Sequence, residues 1–250
     1  MKRTEQAASN AEWRRWGSDD PFYGVAAWEG RDRGGPNPWT AVDFYALGES
    51  DWQDFRSRWV SYGVDFGRVV DVGCGAGRLT NAMLADFREV IGVDVSDGML
   101  DVARSHITES NVEFRLGDGI SLPVETSTMD GAFSAHVFQH FDSLGLARAN
   151  FSEIARILKP GGTMMVHLPV VVPPQGLPGV LPALAAKQKL GDVRARLRRR
   201  RGTPFMRGLQ YPWQWLLREL PPLGLLDIEL RVFPTRSNGG YHPFILARRS

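Results

Sequence analysis

One segment restricts the fold of this chain more than any other: a β-branched run that leads into three glycines at alternate positions. Residues 68–72 (RVVDV) are typical of a buried strand, and Gly73, Gly75 and Gly77 follow before a helical pattern begins at Arg78. Glycine permits the backbone conformations of a tight turn and lets a ligand touch bare main chain. The segment therefore predicts a strand, a ligand-binding turn and a helix.

The rest of the chain repeats this alternation, which predicts an α/β fold: a doubly wound, mostly parallel sheet with helices on both faces. The predicted strands are 68–72, 89–94, 111–116, 129–135, 163–169, 227–233 and 241–248. The predicted helices are 78–87, 98–109, 143–158 and 213–220. A chain of 250 residues, 43% of them hydrophobic, can bury a substantial core. We interpret residues 1–250 as a single domain.

Two regions depart from the alternation, and we expect both above the carboxyl ends of the strands, where they would shape a substrate pocket. Residues 1–60 hold six of the eight tryptophans and predict an aromatic N-terminal cap, whereas 170–212 is an insertion that opens with prolines and turns basic. The core would then be 65–169, with a C-terminal helix and strands at 213–250. Five aromatic residues of this cap could form a lid over the pocket, or could instead pack a helix onto the sheet. They are Trp13, Trp16, Phe22, Tyr23 and Trp28.

Charge is concentrated in the insertion. Residues 187–201 carry eight Lys or Arg against one Asp, a local net charge of +7 in a chain whose total is +2. Leucines at helical spacing beside the arginines predict a solvated helix over the pocket, with contact to an anionic membrane surface or an acidic substrate as the alternative. Nucleic acid ranks lower because no RNA-binding module accompanies the run. No apolar stretch approaches the roughly 18 residues of a membrane span, and we predict a cytoplasmic protein.

Two acidic residues give the glycine turn a more specific meaning. Asp94 ends the second strand and Asp118 follows the third, in the segment Leu116-Gly117-Asp118-Gly119. A carboxylate at the tip of the second strand suits two ribose hydroxyls, and one after the third can accept from an adenine amine. Together they outline an adenosine. A nicotinamide dinucleotide is disfavoured because Arg78 stands where its glycine pattern needs a third glycine.

These segments resemble, in order, the motifs of class I S-adenosylmethionine-dependent methyltransferases. VVDVGCGAGRLT is similar to their first motif, VIGVDVSDGML to their second, and LGDG and ILKPGGTMMV to later ones. The resemblance covers about residues 65–169 and implies a Rossmann-like, seven-stranded sheet with the last strand antiparallel. It also implies S-adenosyl-L-methionine as cofactor, held by Asp71, Gly73, Gly75, Gly77, Asp94, Met99, Asp118 and Gly119.

The candidate proton acceptors follow the fourth strand. His140 and His136 would face the transferred methyl group, and a histidine can take a proton from a hydroxyl near neutral pH. The two are four residues apart, so on a helix they could bind a metal with nearby Asp142, but no third ligand has matching spacing and we predict no metal. His167 is predicted as a core or rim residue, and His242 as a residue of the last strand far from the methyl.

We predict an enzyme that methylates a small-molecule acceptor, at a hydroxyl of a natural product, glycan or lipid-linked intermediate. The lone cysteine, Cys74, sits inside the glycine turn and is interpreted as a packing residue, which excludes chemistry that needs a separate cysteine nucleophile. Two alternatives stay open: an enzyme acting on RNA or at a membrane surface through 187–201, and a noncatalytic cofactor-binding protein.

Overall fold

Seven strands form one sheet in a computed structural model that describes residues 3–172 and 208–250. Their bounds are β1 Arg68–Val72, β2 Glu89–Asp94, β3 Val112–Leu116, β4 Met129–Ser134, β5 Leu158–His167, β8 Leu225–Pro234 and β9 Tyr241–Arg249. The sheet order is β3-β2-β1-β4-β5-β9-β8. Strands β1 to β5 are parallel, and β9 is antiparallel to both β5 and β8. The predicted fold, including the antiparallel last strand, is confirmed.

The helices begin at polar caps that the sequence supplies. Thr40, Ser96 and Ser143 each accept a hydrogen bond from a backbone amide of the helix that follows. The bounds are α1 Arg3–Asp19, α2 Pro21–Val25, α3 Ala41–Tyr62, α4 Arg78–Met83, α5 Asp97–His106, α6 Leu144–Ile157 and α7 Trp213–Glu219. Helix α4 is four residues shorter than predicted, and β5 begins five residues earlier because its start pairs with β4 across a register shift.

Alternate residues of each central strand pack into two different cores. Val70 and Met164 belong to a core completed by residues of α6, and their neighbours Val69 and Met165 to one completed by residues of α3 and α4. Successive side chains of a strand point to opposite faces, so the sheet is covered on both sides. This arrangement leaves the carboxyl edge of the parallel strands as the place for a site.

The region predicted as one aromatic cap divides into two parts. Helices α1 and α2 pack on α5. Helix α3 instead lies on the sheet: Trp52, Phe55 and Trp59 are buried in the second core. The expectation that all of 1–60 lies above the strand ends is therefore wrong for α3, because its large apolar residues recur at helical spacing and need a broad apolar surface.

The insertion is described only at its two ends. Strand β6 (Val170–Val171) pairs in parallel with β7 (Tyr211–Pro212), so the two ends of the insertion lie side by side. The basic stretch 187–201 lies outside the described residues. Among the described helices, none combines the length and the apolar character that crossing a bilayer would require.

Candidate active site

A cavity of about 300 Å³ lies along the carboxyl edge of the sheet. Its walls come from the loops after β1, β2, β3 and β4, from the β8–β9 loop and the start of β9, and from the N-terminal helices. In open α/β sheets this edge is where ligands bind. The wall brings together seven of the predicted site residues: Gly73, Gly75, Asp94, Met99, Gly119, His136 and His140.

The glycine turn requires glycine for two reasons. Gly73, Gly75 and Gly77 have φ values of 77°, 53° and 80°, a left-handed region that other residues rarely adopt. A Cβ at Gly73 would also overlap the side chain of Val137, and one at Gly75 would lie 2.6 Å from Cγ2 of Val25. Gly73 and Gly75 line the cavity. Gly77 is the N-cap of α4 and does not line the cavity. The turn therefore presents main chain to the cavity.

Asp94 is fixed at the tip of β2 by the turn itself. Its Oδ2 accepts from the amide of Gly75 at 2.9 Å, and its Oδ1 accepts from the amide of Ser96 at 3.0 Å. Burial raises the pKa of Asp94, and these backbone hydrogen bonds oppose that effect. Each carboxylate oxygen keeps further acceptor capacity. Asp94 can thus receive two hydroxyls from the cavity without moving.

Asp71 and Cys74 lie beneath the turn and do not line the cavity. Asp71 is 3% exposed and accepts a 2.7 Å hydrogen bond from Oγ1 of Thr80. Burial raises the pKa of Asp71 to about 7. Burial also raises the pKa of the Cys74 thiol well above its ordinary value, so this side chain is a poor nucleophile. The role of Asp71 toward a cofactor stays a prediction.

The loop after β3 forms the next part of the wall. Met99 on α5 and Gly119 line the cavity, and Gly119 has a φ of 84°. Asp118 is outside the wall; its Oδ1 accepts from the amides of Ile120 and Ser121 at 2.8 and 2.6 Å. These bonds shape the loop, and contact of Asp118 with an adenine stays a prediction.

The two candidate proton acceptors are both on the wall, but no helix joins them. His136 has a φ of 61°, which is unusual for a residue with a Cβ, and His140 ends a 3₁₀ turn over Phe138–His140. The His140 ring lies 5.2 Å from the Trp13 ring. Nε2 of Gln139 lies 3.0 Å from Nε2 of His140. An amide nitrogen only donates and an imidazole nitrogen has one lone pair, so the tautomer of His140 that accepts this bond engages the lone pair of Nε2.

Histidines 167 and 242 join His136 in one cluster. Ring centroids lie 4.4 Å apart for His136 and His167, 5.2 Å for His136 and His242, and 5.4 Å for His167 and His242. His167 is buried at the end of β5, in agreement with the prediction. His242 does belong to the last strand, yet it lines the cavity, so the expectation of a remote position is corrected. An antiparallel strand begins at the edge where its parallel neighbours end.

A buried ion pair contributes two oppositely charged side chains to the cavity wall. Nη1 of Arg78 lies 2.5 Å from Oδ2 of Asp51, and both side chains are less than a tenth exposed. Oδ1 of Asp51 and Nε of Arg78 have no hydrogen-bond partner among the described residues. Sequence reasoning missed this pair because Asp51 is on α3, 27 residues from Arg78. Such atoms are positioned to bind a polar ligand group.

The aromatic residues of the N-terminal region lie both at the cavity and in packing contacts. Trp13 and Trp28 line the cavity, and a role as a lid stays a prediction. Trp16 contacts Tyr23, and Phe22 stacks on Phe44 at 4.4 Å between ring centroids. These three predicted cap residues therefore pack against other aromatic side chains.

Comparisons with known proteins agree with this geometry. Residues 70–166 match the family model described as a methyltransferase domain. The chain is 38% identical over 101 residues to a demethylmenaquinone methyltransferase of Symbiobacterium thermophilum, covering 38% of this chain and 39% of that protein. It is 35% identical over 99 residues to a malonyl-[acyl-carrier protein] O-methyltransferase of Hahella chejuensis, covering 39% and 34%. The matched segments thus span well under half of these relatives.

The fold also has solved counterparts. The structure of magnesium protoporphyrin IX methyltransferase from Synechocystis PCC 6803, with bound S-adenosylmethionine, aligns with a TM-score of 0.60 at 18% identity. The alignment covers 97% of each chain. At this identity the likeness concerns the fold, and the N-terminal helices and β8–β9 are part of it.

Proposed function

Residues 70–166 form a class I S-adenosylmethionine-dependent methyltransferase domain, and from this premise we propose that the chain transfers a methyl group from that cofactor to a small-molecule acceptor. One observation carries the proposal. A single cavity has the glycine turn and Asp94 in its wall over β1 and β2, and His136 and His140 in its wall after β4. A cofactor and an acceptor could therefore meet inside one cavity.

The residues present fit S-adenosylmethionine. Asp94, held by two backbone amides, would accept the ribose hydroxyls, and the exposed main chain of Gly73 and Gly75 would pass close to the methionine part. Met99 would pack on the adenine beside the backbone of Gly119. A side chain at Gly73 would overlap Val137, and one at Gly75 would overlap Val25. Bare backbone at both positions therefore keeps space open beside the turn.

The bound cofactor supplies a methyl group on a positively charged sulfonium, so the protein must mainly position the acceptor, exclude water and remove a proton. We assign proton removal to His140, which lines the cavity beside Trp13 and would accept the proton at Nε2 once the acceptor hydroxyl takes the place of the Gln139 amide there. Burial lowers the pKa of His136 well below the ordinary value, which makes this side chain a poor proton acceptor near neutral pH. Trp13 and Trp28 would cover the reacting atoms.

The wall chemistry favours an acceptor with an apolar or aromatic part and an oxygen function. Apolar side chains make up much of the cavity wall, among them Trp13, Leu47, Val137, Phe141 and Leu146. Its polar groups include Asn238, His242 and the Asp51–Arg78 pair. We propose a hydroxyl as the methylated atom, on a natural product, glycan or lipid-linked intermediate.

Two measurements test this function. Calorimetric titration should give saturable one-to-one binding of S-adenosylmethionine and none of NAD or NADP. Incubation with methyl-labelled cofactor and a panel of phenols, quinols, glycosides and carboxylic acids should label one class. Dinucleotide binding without S-adenosylmethionine binding would overturn the cofactor assignment. Cofactor binding with no transfer to any acceptor class, to RNA or to vesicles would favour a noncatalytic binding protein.

A further inference from the structure

Three of the chain's five histidines meet at one point of the cavity wall. His136 follows β4, His167 ends β5 and His242 is the second residue of β9. One nitrogen atom of each imidazole can be chosen so that all three lie within 4.8 Å of one another. Strands β4, β5 and β9 are adjacent in the sheet, so the cluster is built on rigid elements.

Packing alone leaves this cluster unexplained. Nδ1 of His167 is buried and has no hydrogen-bond partner among the described residues. Buried polar atoms are nearly always paired, and an unpaired one destabilises the fold. His136 also adopts a strained left-handed backbone conformation, and strain of this kind concentrates at functional sites. Both features indicate that a ligand completes the cluster.

The hydrogen bonds around His242 favour one tautomer. Asn238 Oδ1 accepts from the amide of Gly240 and from the hydroxyl of Thr235. Since that hydroxyl has one proton, Oγ1 of Thr235 acts as acceptor toward Nε2 of His242, 3.3 Å away. This arrangement is compatible with a ring proton on Nε2 and a lone pair on Nδ1. Ligand histidines in metal sites are commonly oriented by such a bond from the second ring nitrogen.

The charge around the cluster allows a cation. Arg78 is a cation that acts on both His136 and His242, and its charge is balanced by Asp51 in the buried ion pair.

We infer that His136, His167 and His242 bind one divalent transition-metal ion, with Zn²⁺ as the best match. Imidazole nitrogens suit Zn²⁺, and three histidines with one open position are the ligand set of a catalytic zinc site. Zinc–nitrogen bonds of about 2.0–2.1 Å at tetrahedral angles place the ligand nitrogens about 3.4 Å apart. The three nitrogens, which lie within 4.8 Å of one another, would therefore move closer together on binding the ion.

The open position has a consequence for the acceptor. His136 and His242 line the cavity and His167 lies behind them, so a metal held here would have its free side toward the space for the acceptor. A divalent ion at that point would hold an oxygen atom of the acceptor and favour its ionised form. This second step rests on the proposed function, whereas metal binding itself does not.

The test uses the full chain without an affinity tag, after treatment with a chelator. Titration with Co²⁺, a spectroscopic substitute for Zn²⁺, should reach saturation at one equivalent and give the visible absorption of a four-coordinate ion. Zn²⁺ should displace it. His167→Ala and His242→Ala should each weaken Zn²⁺ binding by at least about tenfold. The matched control is His106→Ala, because His106 is exposed on α5 outside the cluster, and it should bind as the wild type does.

The outcomes separate this inference from the proposed function. S-adenosylmethionine titration of the same variants serves as the fold control, because Asp94 and the glycine turn are not part of the cluster. Retained cofactor binding with lost metal binding supports the three-histidine site. Absence of one-to-one Co²⁺ binding in wild-type protein that binds the cofactor would overturn it, as would undiminished Zn²⁺ binding by both variants. Metal binding without cofactor binding would leave the site in place and contradict the methyltransferase function.

Discussion

The amide of Gly75 donates a 2.9 Å hydrogen bond to Oδ2 of Asp94, 19 residues away. This bond joins the glycine turn after β1 to the acidic tip of β2, so the two motifs identified separately in the sequence form one structural unit. The turn presents main chain and the tip presents a carboxylate to the same cavity. Changes on either side of the bond should therefore affect the binding of one ligand.

Replacing Asp94 tests the ribose contact. Asp94→Ala removes a carboxylate that would accept two hydroxyls, and hydrogen bonds to a charged group contribute about 1.5–3 kcal/mol. We expect affinity for S-adenosylmethionine to fall at least about thirtyfold in a calorimetric titration. Asp101→Ala is the control, because Asp101 is an exposed residue of α5 that pairs with Arg104 and does not line the cavity. Binding by Asp94→Ala within a factor of two of wild type would exclude the contact.

Replacing Gly75 separates backbone strain from steric overlap. In Gly75→Ala the new Cβ has a left-handed φ of 53° and lies 2.6 Å from Cγ2 of Val25. We expect a loss of unfolding free energy of about 1–2 kcal/mol from strain, plus the cost of overlap. The control is Gly161→Ala, whose φ of 82° is also left-handed but whose Cβ would meet no atom within 4 Å.

Denaturant titration measures both variants, and calorimetry measures their cofactor affinity. Gly161→Ala should show the strain cost alone and bind the cofactor normally. The double variant Val25→Ala/Gly75→Ala should recover the overlap part of the stability loss. Equal losses in Gly75→Ala and Gly161→Ala, with unchanged cofactor binding, would show that the space at Gly75 does not matter.

Replacing His140 tests proton removal. His140→Ala should lower kcat by about a hundredfold or more, the usual contribution of a positioned base, while the S-adenosylmethionine affinity stays unchanged. Added imidazole should restore part of the rate, which a purely structural role would not permit. His106→Ala provides the control for loss of a histidine elsewhere. Wild-type kcat in His140→Ala would assign proton removal to another group.

The sheet could be predicted from the sequence because its signals are local. Strands β1 and β2 begin and end at the predicted residues, since a β-branched run bounded by a turn specifies a buried strand. The position of a helix in the fold, in contrast, depends on contacts between residues that are distant in the sequence. The sequence shows that α3 is rich in tryptophan, but only the structure shows that Trp52 and Trp59 pack on the sheet.

The same distinction applies to the site. Gly73, Gly75 and Asp94 could be found because each directly follows or ends a strand whose edge forms the cavity. The cluster of His136 with His167 and His242 depends on β9 inserting between β5 and β8. That strand order brings together residues more than 70 positions apart in the sequence, a relationship that spacing cannot reveal.

The buried carboxyl of Asp71 predicts a pH dependence of stability. Burial raises its pKa from 3.8 to about 7, so between these values the folded protein keeps a proton that the unfolded chain has lost. The free energy of unfolding should therefore fall as the pH rises from about 4 to about 7 and then stay level, by at most about 4 kcal/mol from this group. Asp71→Asn should abolish that slope, because its amide oxygen still accepts from Thr80 but carries no charge.

Urea titrations at pH 5 and pH 8 measure the effect. The stability of Asp71→Asn relative to wild type should be higher at pH 8 than at pH 5, because only at the higher pH does wild type bury a carboxylate. Asp101→Asn, an exposed substitution on α5, should show no comparable change between the two conditions. A stability difference between Asp71→Asn and wild type that is the same at both pH values would mean that Asp71 titrates alike in the folded and unfolded chain, and that the Thr80 hydrogen bond fully offsets its burial.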